Sequence, residues 1–164
     1  ILRHQTSTYC TEDNIKEWVD YLAEYKKSPN LDTSYLTQME DWIKYLQDNY
    51  GTFILNAADT IRYDSIYSKP KNVGIIMNYA CQSASELMIM MCKQSSKVKL
   101  FGEHTMGAVD YLDFGPTLTP SKKYKLYIAT TKRIIPQDGK SLDGIGIYPD
   151  VPIDDSVINW QNLL

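Results

Sequence analysis

No apolar run in this chain approaches the roughly 20 residues that a membrane-spanning helix needs, and no basic, apolar, small-residue leader opens it. The chain starts at Ile1, so these absences describe the 164 residues and not what precedes them. Cationic side chains form no stripe and the net charge is -3, which removes the electrostatic reason to expect nucleic acid or acidic substrates. Histidine is scarce, with only His4 and His104 available as imidazole bases or ligands. There is no His-Glu-x-x-His pair, no Asp-rich loop and no glycine-rich phosphate loop, so neither a metal nor a nucleotide cofactor is expected. The three cysteines, Cys10, Cys81 and Cys92, are odd in number and lack Cys-x-x-Cys spacing, which leaves the redox compartment open. A Gly-x-Ser-x-Gly elbow is missing too, which disfavours an ordinary α/β-hydrolase. The Ser-x-x-Lys matches at Ser68 and Ser96 lack the partner motifs of penicillin-binding enzymes.

What remains is a chain 43% hydrophobic and 23% charged, long enough for one domain with a core or a large piece of one. Residues 11–27 place Ile15, Trp18, Val19, Leu22 and Tyr25 at helical spacing, with Pro29 beyond the end. A second amphipathic helix runs from Asp32-Thr33-Ser34 through Leu36, Met39, Trp42, Ile43 and Leu46, with Gly51 suited to its C-terminal cap. The two predict a helical hairpin whose aromatic stripe packs on a sheet. Residues 52–72 read as an irregular connection, and residues 124–131 alternate as a strand before a turn at Pro136-Gln137-Asp138-Gly139.

The most informative stretch is Val73 to Cys92. Val73-Gly74-Ile75-Ile76-Met77-Asn78 reads as a buried strand, and the apolar run after Glu86 reads as a buried helix. Lys97 to Phe101 then forms a second strand, which predicts a right-handed parallel strand, helix, strand unit. Sites in open parallel sheets lie at the carboxyl ends of strands, where Cys81 to Ser85 and Gly102 to Gly107 fall. Ser83 thus sits near free helix amides, which favour an anion or the oxyanion formed when a serine attacks a carbonyl. On residue chemistry alone the alternative is an N-cap, with Glu86 three residues on as in a capping box. A thiol nucleophile at Cys81 is the weaker option, since a free cysteine behind such a helix is ordinarily core.

Ser83-Ala84-Ser85-Glu86, Gly102-Glu103-His104-Thr105-Met106-Gly107 and Gly144-Ile145-Gly146-Ile147-Tyr148-Pro149-Asp150 stand in the order and spacing of the tail-specific (C-terminal-processing) serine peptidases, and the chain resembles that family from about Val73 to Ile153. Thr11 to Lys16 is similar to a helical insertion in a bacterial branch. The resemblance implies an α/β fold with a crotonase-like (Clp protease-like) core, residues 1–72 being a helical hairpin and connection inserted in the catalytic domain. Residues 73–164 would be the C-terminal part of that domain. It also implies hydrolysis of peptide or protein substrates without a cofactor, and an extracytoplasmic location.

Within the family one branch activates its serine with a lysine, and Ala108 occupies that lysine's place here. The chain is therefore similar to the tricorn-core-like branch, which uses a histidine oriented by an acidic residue. By this resemblance Ser83 is the nucleophile, the Ala84 amide one oxyanion donor, and Asp143 the carboxylate, three residues before Gly146. Local chemistry also allows Asp143-Gly144 to be a turn former, and Asp110 is the next acidic candidate. His4 and His104 lack an evident orienting partner, which a histidine base needs. The histidine and the second oxyanion donor are therefore expected from an N-terminal portion of the protein, leaving residues 1–164 inert by themselves. Asp150 after Pro149 reads as structural. The competing class is a non-catalytic ligand- or peptide-binding protein on the same fold, as in vertebrate retinoid carriers.

Overall fold

The computed structural model describes residues 5–56, 62, 63, 65–135 and 139–153. The chain divides into two compact units, one drawn from Gln5–Ala57 and Tyr111–Lys132, the other from Ala58–Asp110 and Arg133–Leu164. The expected single break at residue 72 differs from this division, because the 111–132 hairpin clusters with the N-terminal helices.

In the first unit, strands β1 (Thr6–Tyr9), β2 (Phe53–Asn56), β5 (Tyr111–Leu118) and β6 (Lys125–Arg133) form a sheet in the order β2-β1-β6-β5. β1 and β2 run antiparallel from Thr6↔Asn56 to Tyr9↔Phe53, and β5 pairs antiparallel with β6 from Tyr111↔Lys132 to Leu118↔Lys125. Helix α1 (Glu12–Tyr25) begins where Thr11 accepts from the Asn14 amide and Asn14 returns the bond to the Thr11 amide at 2.9 Å. Glu12 and Asp13 complement the helix dipole there. Helix α2 (Thr33–Asp48) is capped by Asp32, whose Oδ1 accepts from the Ser34 and Tyr35 amides. The two helices meet through Trp18 and Trp42, Tyr25 and Tyr35, and the Lys26–Glu40 ion pair. Cys10, Leu46 and Ile54 are the buried centre, with Ile15, Trp18 and Trp42 packed on it.

β1, β2 and β5 were not expected from sequence. β1 and β2 are four residues each, too short for alternation to separate them from loop, and each is held by a partner more than 40 positions away. The expected Gly51 cap is corrected: Asn49 caps α2, and Gly51, two residues on, adopts a left-handed φ of 75° with its amide donating to Cys10 O at 2.9 Å.

In the second unit, β3 (Val73–Met77), β4 (Val98–Gly102) and β7 (Val151–Pro152) form a three-stranded parallel sheet, and α3 (Ala84–Cys92) is the crossover between β3 and β4. The expected parallel pairing of β3 and β4 holds, in a register from Val73↔Val98 to Met77↔Gly102. Met77, Ile89, Leu100 and Ile147 make its core. The reading of β3 and α3 as buried throughout is corrected: only Met77 is buried in β3 and only Glu86 and Ile89 in α3, while Ile76 and Met88 are each 46% exposed. A helix or strand can be apolar all round without being covered all round, because hydrophobicity marks a preference and not a partner. Asp150 is structural as expected, but it works across to β4. Its Oδ2 accepts from the Leu100 amide at 2.8 Å and its own amide donates to Leu100 O at 3.0 Å.

Gly102 closes β4 with φ 112°, and a Cβ there would stand 2.1 Å from the Met77 carbonyl oxygen of the neighbouring strand. Both the dihedral and the close approach exclude a side chain. Gly102→Ala is expected to cost at least about 2 kcal/mol, read as a lowered urea midpoint with an unchanged denaturant slope.

Candidate active site

Ser83 lies in the turn between β3 and α3, directly before the helix, with φ 52° and ψ -113°. That backbone conformation is strained for any residue but glycine, costing of the order of 1–3 kcal/mol, and such strain concentrates at functional positions. What holds it is Glu86, fully buried one turn into the helix. Its carboxylate accepts from the Ser83 amide at 3.1 Å, from the Thr105 hydroxyl, and from the amides of Gly107 and Ala108 at 2.8 and 2.9 Å. Four donors satisfy a carboxylate's acceptor sites, which accounts for an acidic side chain inside an apolar helix. The Leu87 amide closes the first helical turn on Ser83 O at 3.0 Å. Among the described residues the Ala84 amide meets no acceptor. An N–H next to the serine, at the positive end of α3, is therefore available to an anion.

The next two amides of the same turn go to Asp143. Val109 and Asp110 both donate to its Oδ1, at 3.0 and 2.8 Å. Thus four consecutive amides, from Gly107 to Asp110, are hung on two carboxylates, Glu86 and Asp143. The turn-former and site readings of Asp143 are compatible, because its Oδ2 has no hydrogen-bond partner among the described residues. Thr105 ties the opposite strand of chain: its amide donates to Ile147 O at 3.1 Å and the Ile147 amide to its hydroxyl at 2.7 Å. Gly146 lets these segments touch, since a Cβ there would fall 2.0 Å from Thr105 O.

Asp110, the reserve acidic candidate, is committed elsewhere. It is buried and pairs with buried Arg133, whose Nε donates at 2.7 Å and whose Nη2 makes a second bond to the same Oδ1. Oδ2 accepts from the Ser141 hydroxyl and Leu142 amide at 2.7 Å and the Asp143 amide at 3.2 Å. Burial pushes the Asp110 carboxyl up, but the bonds from Ser141, Arg133 and the Leu142 and Asp143 amides together outweigh it and hold it below its ordinary value. Sequence reasoning missed Arg133, Ser141 and the wider role of Glu86; a carboxylate in an otherwise apolar helix was the one signal available.

The imidazole of His104 is stacked on Tyr148 and edge-on to Tyr79, both at 5.5 Å, and its Nδ1 lies 2.9 Å from Thr105 O. This supplies the orienting partner that the sequence did not reveal, yet no hydrogen bond joins His104 to Ser83 or Asp143. Cys81 is half-buried and its carbonyl accepts from the Met106 amide at 2.9 Å. His4 lies outside the described residues, as does the turn at Pro136-Gln137-Asp138. Among the described residues no cluster of His, Cys, Asp and Glu could hold a metal ion, and no helix is long and apolar enough to cross a membrane.

Ser83 thus stands strained at the start of a crossover helix, with an unoccupied amide beside it. The chain belongs to peptidase family S41, whose sequence signature matches residues 14–153. No curated protein matches it. Among solved structures it is similar to the photosystem II D1 C-terminal processing protease at 24% identity and a TM-score of 0.44, covering 61% of this chain and 25% of that one. It is also similar to mature CPAF complexed with lactacystin (11% identity, TM-score 0.50, covering 92% of this chain and 34% of that one) and to mature CPAF (12% identity, TM-score 0.50, 92% and 33%). The chain thus spans about a third or less of the length of these proteins, and the likeness speaks to the fold alone.

Two outcomes test this network. Arg133→Met leaves the buried Asp110 charge without its cation and is expected to cost about 3–5 kcal/mol, measured by urea unfolding at neutral pH. Because the folded Asp110 is held below its ordinary value, its contribution is full above the unfolded pKa of about 3.9 and is lost as pH falls through the folded value. The stability gap between wild type and Asp110→Asn should therefore narrow on acidification below about pH 4.

Proposed function

We propose that this chain is the C-terminal part of a serine peptidase catalytic domain, with a crotonase-like core and α1 and α2 as an inserted helical hairpin. Ser83 is the nucleophile, the Ala84 amide one oxyanion donor, and Asp143 the carboxylate that orients a histidine. The histidine and a second oxyanion donor come from an N-terminal portion of the same protein. The observation that carries this reading is the Ser83 backbone, strained and locked by a buried carboxylate at the mouth of a helix. A capping box accounts for the Glu86 bond to the Ser83 amide, but it does not call for the φ of 52° at the cap residue.

In this mechanism the imidazole takes the proton from Ser83 Oγ as that oxygen bonds to the carbonyl carbon of the scissile peptide. Negative charge moves onto the carbonyl oxygen, where the Ala84 N–H and the dipole of α3 stabilise it. Collapse breaks the C–N bond, the imidazolium returns the proton to the leaving amine, and the acyl group stays on Ser83. Water, deprotonated by the same imidazole, then releases the acid. Asp143 Oδ2 holds the imidazole tautomer while Oδ1 stays on the 109–110 amides. The substrate is a peptide or protein, no cofactor is needed, and an extracytoplasmic place of action belongs to the same reading.

A non-catalytic binding protein on this fold is the second reading, favoured by one observation: His104 spends its contacts on Tyr79, Tyr148 and Thr105. The two separate by labelling with a fluorophosphonate. Full-length protein should be labelled at Ser83, Ser83→Ala should not, and residues 1–164 alone should be unreactive. Asp143→Asn should slow labelling by up to roughly 10⁴-fold. Well-folded full-length protein that takes no label and cleaves nothing in a broad peptide library would overturn the peptidase reading. An independent check needs no catalysis: Ser83→Gly should be more stable than Ser83→Ala by about 1–2 kcal/mol, since glycine alone relieves the dihedral strain.

A further inference from the structure

The aromatic stripe of α1 and α2 does not fully pack on the sheet beneath it. A cavity of about 800 Å³ remains between them, wholly within the first unit. That volume suits a drug-sized ligand. Trp18 and Tyr21 from one helix and Tyr35, Trp42 and Tyr45 from the other line it, and the sheet contributes Asn56 and Asp113.

Two features describe what would fill it. First, the lining holds two carboxylates, Glu17 and Asp113, both reaching solvent, and no lysine, arginine or histidine. Neither carboxylate has an ion-pair partner among the described residues. Second, Asp113 adopts a left-handed φ of 54°, a conformation open to aspartate, and the β5–β6 ladder skips it between the Leu112↔Thr131 and Phe114↔Ala129 pairs.

Aromatic rings with unpaired carboxylates attract cations and repel anions. We propose that this cavity binds a small organic cation of the substituted-ammonium class, with the ammonium among the rings and the Glu17 and Asp113 carboxylates. This is a second site, independent of Ser83.

Choline is the probe, and Trp18 and Trp42 are built-in reporters, with Trp160→Phe as the background that isolates their fluorescence. Choline should produce a saturable change, and its uncharged tert-butyl isostere should bind at least roughly tenfold more weakly. Glu17→Gln and Asp113→Asn should each weaken choline roughly 2- to 30-fold without altering the circular dichroism spectrum, since neither side chain has a partner to lose and asparagine tolerates a left-handed φ. No saturable response, an equal response to the neutral isostere, or undiminished binding in the charge-removed variants would overturn the proposal.

Discussion

Everything at the candidate site depends on the buried carboxylate of Glu86. It is the point where the start of α3, the strained Ser83 amide and the turn after β4 are joined. A buried acid without donors would cost several kcal/mol, whereas one facing four donors fixes the positions of all of them. That constraint explains how a non-glycine residue keeps φ 52° at position 83: the Ser83 amide could leave its strained orientation only by stripping a donor from a carboxylate that water does not reach. Thr105 extends the same constraint to residue 147.

The second carboxylate layer repeats the device one step further along the chain. Asp143 holds the amides of Val109 and Asp110, and Asp110 in turn holds the amides of Leu142 and Asp143, so each acid fixes the backbone that carries the other. Arg133 balances the charge from β6. Reciprocal bonding of this kind makes the loops around the site rigid without any regular secondary structure, and half-satisfied versions of it would be worse than an apolar core. Rigid positioning is what a carboxylate orienting a base needs, because catalytic gain falls quickly when a reacting group shifts by about 1 Å.

How much of this could be read from the chain depended on the range of each signal. The parallel β3-α3-β4 unit was legible because its elements are consecutive and apolar, and helices α1 and α2 were legible because Thr11 and Asp32 announce their starts locally. β1 and β2 were not, since four residues such as Thr6–Tyr9 become a strand only by pairing with residues 53–56. Arg133 sits at the end of an alternating strand, where nothing local distinguishes a solvated arginine from one buried on Asp110. Full burial of α3 was inferred from composition and failed at Met88, because composition names no covering element. The motif resemblance singled out Ser83 and Asp143 as candidates without any contact information.

For Asp143 the sequence left a turn-forming and a catalytic reading open, and the geometry is compatible with both. A carboxylate has two oxygens. One oxygen of Asp143 organises the turn through two amides, and that use is what aims the other. An acid devoted wholly to a turn, such as Asp32, uses one oxygen for caps on an exposed helix start and needs no burial or reciprocity. Asp143 instead sits inside a reciprocal network with Asp110, where the cost of assembling two neighbouring carboxylates is met by Arg133. The network accounts for Oδ1 and for both acids, and it leaves Oδ2 of Asp143 without a hydrogen-bond partner among the described residues.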